Sequence, residues 1–370
     1  MLSHRPKKVL ICLRDNFLKG LSLVIIMLIA FSCKKTNPAT TSSGNSRSYR
    51  MGFAISAPNS QLVFQSLNMW TTRADAAIIS TQIPWAVLYG GTTPEAYINQ
   101  NYKDLATFYR SKNFKVWVYL DPVNGLDRTA DAYDLAALGK SIAQPEPQAR
   151  FARFAFLMDS LLKPDHLGLA LESNAVRGLS PSNIYQGVKA ATNLAASTVR
   201  AYDKTVKLSV SIQADFAWGL LNGTTYQGID ADFTDFPFIQ ELGISSYPYL
   251  VYNQPQDIPA NYYSRLLQGH SVPIFISEGG WSSQAVSNYP ETLQKQQDYI
   301  VKQSTLLDGV NTIGYFQLTF TDFQMSFFPA NTPPVISLFT HLGLVDTTLQ
   351  AKPALTAWDN IYLRPLKTGN

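Results

Sequence analysis

Short runs of β-branched, aliphatic and aromatic residues alternate along this chain with longer amphipathic stretches. Short apolar runs are typical of buried strands, whereas apolar residues recurring every three or four positions are typical of helices. The pattern predicts eight strands, at 51–55, 77–82, 115–120, 167–171, 207–212, 242–247, 273–277 and 312–317. It predicts eight helices, near 62–74, 94–112, 148–162, 181–202, 232–240, 259–267, 291–307 and 352–362. This alternation favours βα units over a β-sandwich.

The starts and ends of these helices support the same interpretation. Thr93 and Ser180 each precede a proline, which is a common way to begin a helix, and Gly269 and Gly309 follow predicted helices. Eight βα units predict a single-domain (β/α)₈ TIM barrel, an α/β fold, over residues 49–370. A doubly wound open sheet is the alternative, but no G-x-G-x-x-G follows the first strand.

The N-terminal segment has the layout of a secretory signal over residues 1–32. Basic residues precede an apolar run at 21–31, and Ser32 and Cys33 follow it. The end of this run is similar to a bacterial lipoprotein processing site, so Cys33 is the predicted lipidated residue; an ordinary cleaved signal and an uncleaved anchor are the alternatives. Residues 33–48 predict a flexible tether, and the resulting localisation is the cell envelope, on the outer membrane and facing the periplasm or the surface.

Charge and cysteine content narrow the possible functions. The first 32 residues contain five basic residues and one acidic residue, so the remaining chain has 25 of each and is formally neutral. A nucleic-acid partner is therefore not expected. Cys12 lies in the signal and Cys33 at its end, which leaves no cysteine for a disulfide after processing.

Two glutamates stand at predicted strand ends. Glu172 follows the fourth strand, and Glu278 follows the seventh and precedes two glycines. Catalytic groups of (β/α)₈ barrels lie at the C-terminal ends of the strands, and a pair of carboxyl groups is typical of glycosidic bond cleavage. Either glutamate alone is more often a loop cap or an ion-pair partner. The loops at 121–146 and 319–334 are the longest at this face and are expected to shape a cleft.

The run Ser-Glu-Gly-Gly-Trp-Ser at 277–282 resembles the strand-seven motif of the TIM-barrel retaining glycoside hydrolases, in the β-1,3-glucanase and endo-β-1,4-galactanase branches. The segments 343–346 and 352–354 are similar to the closing part of such barrels. The resemblance implies that Glu172 is the acid/base, kept protonated by burial and by its neighbour's charge. It implies that Glu278 is the ionised nucleophile and that Tyr247 hydrogen-bonds it.

The chain departs from this clan at two points. Leu171 stands where an asparagine usually precedes the acid/base, and residues 78–85 lack the arginine that commonly supports the nucleophile. Asn174 or Gln213 could replace the missing amide.

The remaining substrate-binding candidates are polar and aromatic residues near strand ends: Trp85, Asp121, Asn174, Gln213, Tyr247, Trp281, Phe316 and Gln317. The tryptophans and the phenylalanine could stack on sugar faces. Asp121 could bind sugar hydroxyls or simply open a turn, and Tyr247 could bind the nucleophile or only cover the barrel rim.

These features predict a retaining glycoside hydrolase that cleaves a polysaccharide or oligosaccharide with two glutamates. A non-catalytic carbohydrate-binding lipoprotein with the same barrel is the alternative, and a barrel enzyme of another class is a third. No cofactor or metal is expected, because the three histidines after the signal are scattered along the chain. The predicted partners are the carbohydrate and, through the lipid, a membrane.

Overall fold

In a computed structural model, which describes residues 46–328 and 332–367, eight parallel strands form a closed barrel. The strands are β1 Arg50–Ala54, β2 Ala76–Gln82, β3 Lys115–Asp121, β4 His166–Gly168, β5 Lys207–Gln213, β6 Glu241–Ser246, β7 Ile274–Gly279 and β8 Thr312–Gln317. Each strand pairs with the next in sequence, and β8 pairs with β1. The predicted (β/α)₈ fold is confirmed.

Helices occupy most of the connections around this barrel. They are α1 Val63–Trp70, α2 Trp85–Tyr89, α3 Pro94–Ile98, α4 Asp104–Ser111, α5 Tyr133–Ala137, α6 Pro145–Leu162, α7 Ser173–Leu179, α8 Ser182–Tyr202, α9 Ala214–Ala217, α10 Asp230–Asp235, α11 Leu293–Asp308 and α12 Pro353–Tyr362. A π-helical turn at Asn99–Lys103 joins α3 to α4, and single 3₁₀ turns stand at Ser60–Leu62, Pro248–Leu250, Pro255–Asp257, Met325–Phe327 and Pro334–Phe339.

Every predicted strand is present, most within one residue of its expected limits. The clearest difference is β4, which ends at Gly168 rather than at residue 171. The helix predicted at 259–267 is wrong, because that segment forms successive turns. This part of the connection between β6 and β7 is made of turns whose apolar residues Tyr262, Tyr263 and Leu266 are nevertheless buried.

The inside of the barrel is filled by a cluster of large side chains, as is usual for this fold. Its members are Ala76, Ile78, Trp117, Tyr119, Leu171, Phe275 and Phe316. The ring of Tyr119 extends into the barrel because β4 and β6 each carry a glycine where it passes. A Cβ on Gly168 would lie 2.1 Å from this ring, and one on Gly243 would lie 2.6 Å from its hydroxyl. The barrel interior beneath the C-terminal face is therefore filled with packed side chains.

The two ends of the described chain meet at the opposite, N-terminal face. Arg47 is buried, forms an ion pair of 2.6 Å with Asp75, and pairs through its backbone with Pro365 and Lys367. The fold's contacts thus extend to Arg47, within the segment predicted as tether. The predicted signal and Cys33 lie outside the described residues. Among the helices the structure describes, none is both long and apolar enough to cross a bilayer.

Candidate active site

Glu172 lies in a tight turn between β4 and α7. The β4 ladder continues past its last strand residue, because Ser211 donates from its backbone to Ala170 and its hydroxyl accepts from the Glu172 amide at 2.9 Å. Glu172 itself has φ 47° and ψ 46°, a left-handed conformation. Such a conformation costs about 1–3 kcal/mol in a residue other than glycine and persists only where neighbouring contacts impose it.

The residues after Glu172 supply those contacts. The Ser173 hydroxyl donates to the Asp232 carboxylate at 2.8 Å, and its oxygen lies 3.1 Å from the Ser211 carbonyl oxygen. The Asn174 side chain donates to the backbone carbonyl of Gln213 and accepts from the backbone N–H of the same residue. The Gln213 side chain in turn caps α9 through Phe216. Asn174 and Gln213 therefore join the β4 turn to the end of β5, and this is a correction to the expectation that one of them replaces the missing substrate-binding amide.

Glu278 reaches the site because β7 contains a bulge. Ile276 lies opposite Ile244 of β6, but the next pair is Glu278 with Ser245, so Ser277 is the extra residue. Phe275 belongs to the inner cluster and Ile276 to the outer core. Strict alternation would then point Ser277 inward, whereas the bulge brings Glu278 beside Ser245. Bulges that redirect a side chain are common beside active sites.

The two carboxylates meet at one hydroxyl. The Oγ of Ser245 lies 2.5 Å from Oε1 of Glu172 and 3.2 Å from Oε1 of Glu278. Since both oxygens contact the same atom, they are no more than about 6 Å apart, close to the separation of about 5–5.5 Å found in retaining glycosidases. The pair predicted from strand ends is therefore brought together at the C-terminal face.

An arginine completes this cluster. Arg128, from the loop after β3, donates from Nε to Oε2 of Glu172 and from Nη1 to Oδ2 of Asp121, each at 2.8 Å. Its side chain is only 8% exposed. The second oxygen of Asp121 accepts from the Val123 amide. Asp121 thus anchors Arg128, and both of its oxygens are already occupied, which is a correction to its expected role as a sugar ligand.

The electrostatic surroundings of Glu172 and Glu278 differ from those expected. Burial, reinforced by the charge of Glu172, raises the pKa of Glu278 to about 7, although Arg128 and the Ser245 hydroxyl oppose the rise. Glu172 instead holds the ion pair with Arg128. In the resting site the raised pKa therefore belongs to Glu278, whereas the expectation placed the protonated group at Glu172.

Tyr247 stands at the end of β6, beside Glu278. Burial raises its pKa well above 10, with a further contribution from the charge of Glu278, to which it is hydrogen-bonded. Its ring packs against Phe339 at 5.2 Å between centroids. Tyr247 thus lies where the resemblance to glycosidases places a tyrosine.

Four predicted contact residues lie away from the cleft. Trp85 and Trp281 are fully buried in the outer core, and the Trp281 indole donates to Glu291 at 2.5 Å. Phe316 belongs to the inner cluster, and the Gln317 amide donates to the Leu342 carbonyl. The expected stacking and hydrogen-bonding roles of these residues are corrected, because none of them is exposed to a ligand.

Leu171 is also buried, in the inner cluster beneath the site. The asparagine usual at this position is thus replaced by an apolar contact with the barrel interior. Across the described residues, no group of three or more His, Cys, Asp or Glu side chains is arranged to hold a metal ion.

The sequence interpretation missed Arg128 and Ser245. Ser245 had a weak signal, since two adjacent serines interrupt the apolar end of β6. Arg128 had none, because its ion pair joins residues that are 44 positions apart across a loop.

Several solved structures to which the chain is similar are glycosidases. The chain is similar to the exo-beta-1,4-mannosidase Op5Man5 from Opitutaceae bacterium strain TAV5, with a TM-score of 0.64 and 13% identity over 86% of this chain and 59% of that one. It is similar to the GH53 catalytic domain of Ignisphaera aggregans, with a TM-score of 0.61 and 15% identity over 85% and 96%. GH5_18 from Bifidobacterium longum gives 0.61 and 14% over 87% and 81%. The chain has the TIM-barrel fold of these glycosidases.

The likeness concerns the fold. No family model and no curated protein matches the sequence. The chain also spans only 59% of the mannosidase and 50% of a beta-glucuronidase from an uncultured Clostridium species. A GH5_18 variant from Bifidobacterium longum, at 15% identity and a TM-score of 0.58, was solved in complex with Manb1-4GlcNAc.

Proposed function

We propose that this protein is a retaining glycoside hydrolase. The observation that carries the proposal is the contact of Glu172 and Glu278 with the single hydroxyl of Ser245. Retaining enzymes hold their carboxyl groups about 5–5.5 Å apart, whereas inverting enzymes need about 6.5–9.5 Å to admit a water molecule. The two oxygens that share this hydroxyl are no more than about 6 Å apart, which supports the retaining arrangement.

The chemistry requires one carboxylate that attacks the anomeric carbon and one carboxylic acid that protonates the departing oxygen. Two glutamates in unlike surroundings meet this requirement, since Arg128 contacts one and burial dominates the other.

The proposed substrate is a β-linked oligosaccharide or polysaccharide. The fold supports this proposal, because similar solved structures include a beta-glucuronidase, an exo-beta-1,4-mannosidase and a beta-glucosidase. We further propose that the protein is a lipoprotein of the cell envelope, attached through Cys33. Arg47, at the start of the described chain, lies on the face opposite the glutamates.

The test is hydrolysis of a panel of aryl β-glycosides and β-glucan, galactan and mannan oligosaccharides by the wild type and by Glu172→Gln and Glu278→Gln. Each variant is expected to lose about 100-fold or more of kcat/KM, because each carboxyl is a reacting group. Glu241→Gln is the matched control, since Glu241 is buried at the other end of the barrel and bonds His166. Full activity in either site variant, with the control equally active, would refute the assignment.

A second candidate is a non-catalytic carbohydrate-binding protein with the same barrel. It is favoured by the ion pair that occupies Glu172, the residue expected to donate the proton, and by the apolar Leu171. Calorimetric binding of an oligosaccharide that the wild type leaves intact would support this candidate over the hydrolase.

A further inference from the structure

We propose, on the basis of the proposed hydrolase function, that the substrate is a glycoside whose aglycone is apolar, an alkyl chain or an aromatic ring. The aglycone binds to the loop after β8, on five apolar side chains that we call the β8-loop surface. They are Phe323, Met325, Phe328, Leu338 and Phe339. The aglycone is the group that departs when the glycosidic bond breaks, so its binding surface must adjoin the two glutamates.

The β8-loop surface is connected to Glu278 by a short series of contacts. The ring of Phe339 packs on that of Tyr247, with 5.2 Å between the ring centroids. Tyr247 is in turn hydrogen-bonded to Glu278. The Phe323 amide donates to the Thr340 carbonyl at 3.0 Å, which places Phe323 beside the residue that follows Phe339. Tyr247 therefore links the carboxyl group to this surface.

The outer residues of this surface are accessible to a ligand. Met325 is 47% exposed, and Phe323 and Phe328 are half-buried. The two phenylalanine rings pack edge to face, 5.8 Å apart, and across the described residues neither ring belongs to the core clusters of the barrel. Contiguous exposed apolar side chains are typical of binding surfaces, and a methionine adapts its shape to different apolar ligands.

The composition of this loop favours an apolar ligand over a further sugar ring. Residues 323–340 contain no Asp, Glu, Lys, Arg or His. A sugar ring carries hydroxyl groups, which lose free energy when they are buried without hydrogen-bond partners. An alkyl chain or an aromatic ring lacks such groups, and its burial is favourable in proportion to the apolar area removed from water.

The base of the loop is fixed by a buried ion pair. Lys352 donates to Asp322 at 2.5 Å and to the Gly343 carbonyl at 2.9 Å. The Gly343 amide also donates to Asp322, at 3.0 Å. Asp322 precedes the β8-loop surface and Gly343 follows it, so the two ends of the loop are held together. Anchoring of this kind reduces the conformational entropy that is lost when a ligand binds.

The kinetic test compares substrates that differ only in the length of an alkyl aglycone. The full-length protein is assayed with methyl, hexyl and octyl β-glucosides, β-galactosides and β-mannosides, each below its critical micelle concentration. For the sugar that is cleaved, the octyl glycoside is expected to have a kcat/KM at least about tenfold above that of the methyl glycoside, through a lower KM. Equal values would overturn the proposal and leave the hydrolase function intact.

Substitutions in the loop test where the alkyl chain binds. Met325→Ser and Phe328→Ser are each expected to lower the octyl-to-methyl ratio of kcat/KM several-fold, by raising KM for the octyl glycoside. Val301→Ser is the matched control, since Val301 is 53% exposed on α11, and it should leave the ratio unchanged. A ratio that survives in both loop variants, or falls equally in the control, would overturn the proposal.

Binding without turnover separates this inference from the hydrolase assignment. Calorimetry with octyl and methyl β-thioglycosides, which resist hydrolysis, is expected to show at least about tenfold tighter binding of the octyl compound by the wild type and a smaller difference in Met325→Ser. If no glycoside is cleaved but this preference is found, the hydrolase function fails and the ligand class stands. Equal affinity for both thioglycosides would overturn the ligand class.

Two further ligands test whether the apolar group is the aglycone of a sugar. A methyl thioglycoside that carries the octyl chain on its O6 atom is expected to bind more weakly than the octyl thioglycoside, and so is 1-octanol. Tighter binding of the O6-substituted compound would place the apolar group elsewhere on the substrate, and equal affinity for 1-octanol would mean that the sugar contributes nothing. Either result would overturn the proposal.

Discussion

Ser245 is the smallest group in the site and the one through which the two glutamates interact. Its hydroxyl contacts both carboxyl groups, and Ser245 itself is a fully buried residue of β6. A short side chain on a strand has little freedom to lose, so Ser245 holds its contacts with both carboxyl groups at little entropic cost.

Removing this hydroxyl tests its importance. Ser245→Ala is expected to lower kcat/KM by about tenfold or more, because both carboxyl groups lose a hydrogen-bond partner in a buried site. Ser246→Ala is the matched control, since that equally buried serine bonds Tyr263 away from the carboxyl groups. Equal loss of activity in both variants would mean that the effect is general damage to β6.

The pH dependence of activity follows from Glu278. Its pKa of about 7 means that this carboxyl group changes its charge as the pH passes through neutrality. We expect kcat/KM to change near neutral pH by up to about tenfold per pH unit, because Glu278 is one of the two proposed reacting groups. The profile is expected to rise through neutrality if Glu278 attacks the anomeric carbon and to fall if it donates the proton. A profile that is flat from about pH 5 to about pH 9 would contradict a reacting role.

For single residues, the sequence predicted the two carboxyl groups of the site better than it predicted which side chains surround them. Glu172 and Glu278 were identifiable because a carboxylate at the end of an apolar strand is conspicuous. Trp281 and Gln317 were misjudged, because a strand end alone does not show whether the side chain faces the cleft or the helices. Arg128 was missed, because nothing in a loop sequence indicates which distant carboxylate its guanidinium meets.

Among the elements, α7 supports Glu172 most directly. The helix starts immediately after the left-handed turn and is tied to α10 by a two-point ion pair of Arg177 with Asp232, whose carboxylate is fully buried. Asp232 also accepts from Ser173. The turn therefore depends on a contact formed well outside the cleft.

Breaking this ion pair should therefore be costly. Arg177→Ala is expected to lower the free energy of unfolding by about 3 kcal/mol, because it leaves a buried carboxylate without its cation. Arg150→Ala removes an exposed ion pair with Glu146 on α6 and should cost much less, because solvent screens that pair. Denaturant unfolding of both variants measures the difference, and equal losses would refute the supporting role of α7.

The strands were predictable because each is buried on both faces and appears as an apolar run, the expected pattern for a parallel barrel. The bulge at Ser277 was not, because its cause is the pairing of β7 with β6 rather than any local residue preference. The segment 259–267 was misjudged for a similar reason. Its buried aromatic residues have the spacing of a helix, but its backbone forms turns.

For the whole molecule, closure of the barrel depends on contacts between distant parts of the chain. β1 pairs with β8. Arg47 forms an ion pair with Asp75, just before β2, and its backbone carbonyl accepts from Lys367 in the C-terminal segment. The circular order of strands followed from the count of eight βα units, whereas this N-terminal contact lies in a polar segment that resembles a tether.

Arg47 should matter more than an exposed arginine nearby. Arg47→Met is expected to destabilise the fold by about 3 kcal/mol or more, since it removes one partner of a buried ion pair. Arg73→Met removes an ion pair with Asp359 in which both side chains are about 30% exposed, and should cost about 1 kcal/mol or less. Thermal unfolding of the two variants tests this order, and an equal or reversed order would contradict it.

The two glutamates that meet at Ser245 are proposed to cleave a β-glycosidic bond with retention. Proton NMR of the anomeric signals during hydrolysis of a β-glycoside selected from the panel distinguishes retention from inversion. The first product is expected to be the β-anomer, with the α-anomer appearing later by mutarotation. An α-anomer formed first, or no cleavage of any β-glycoside by the wild type, would contradict it.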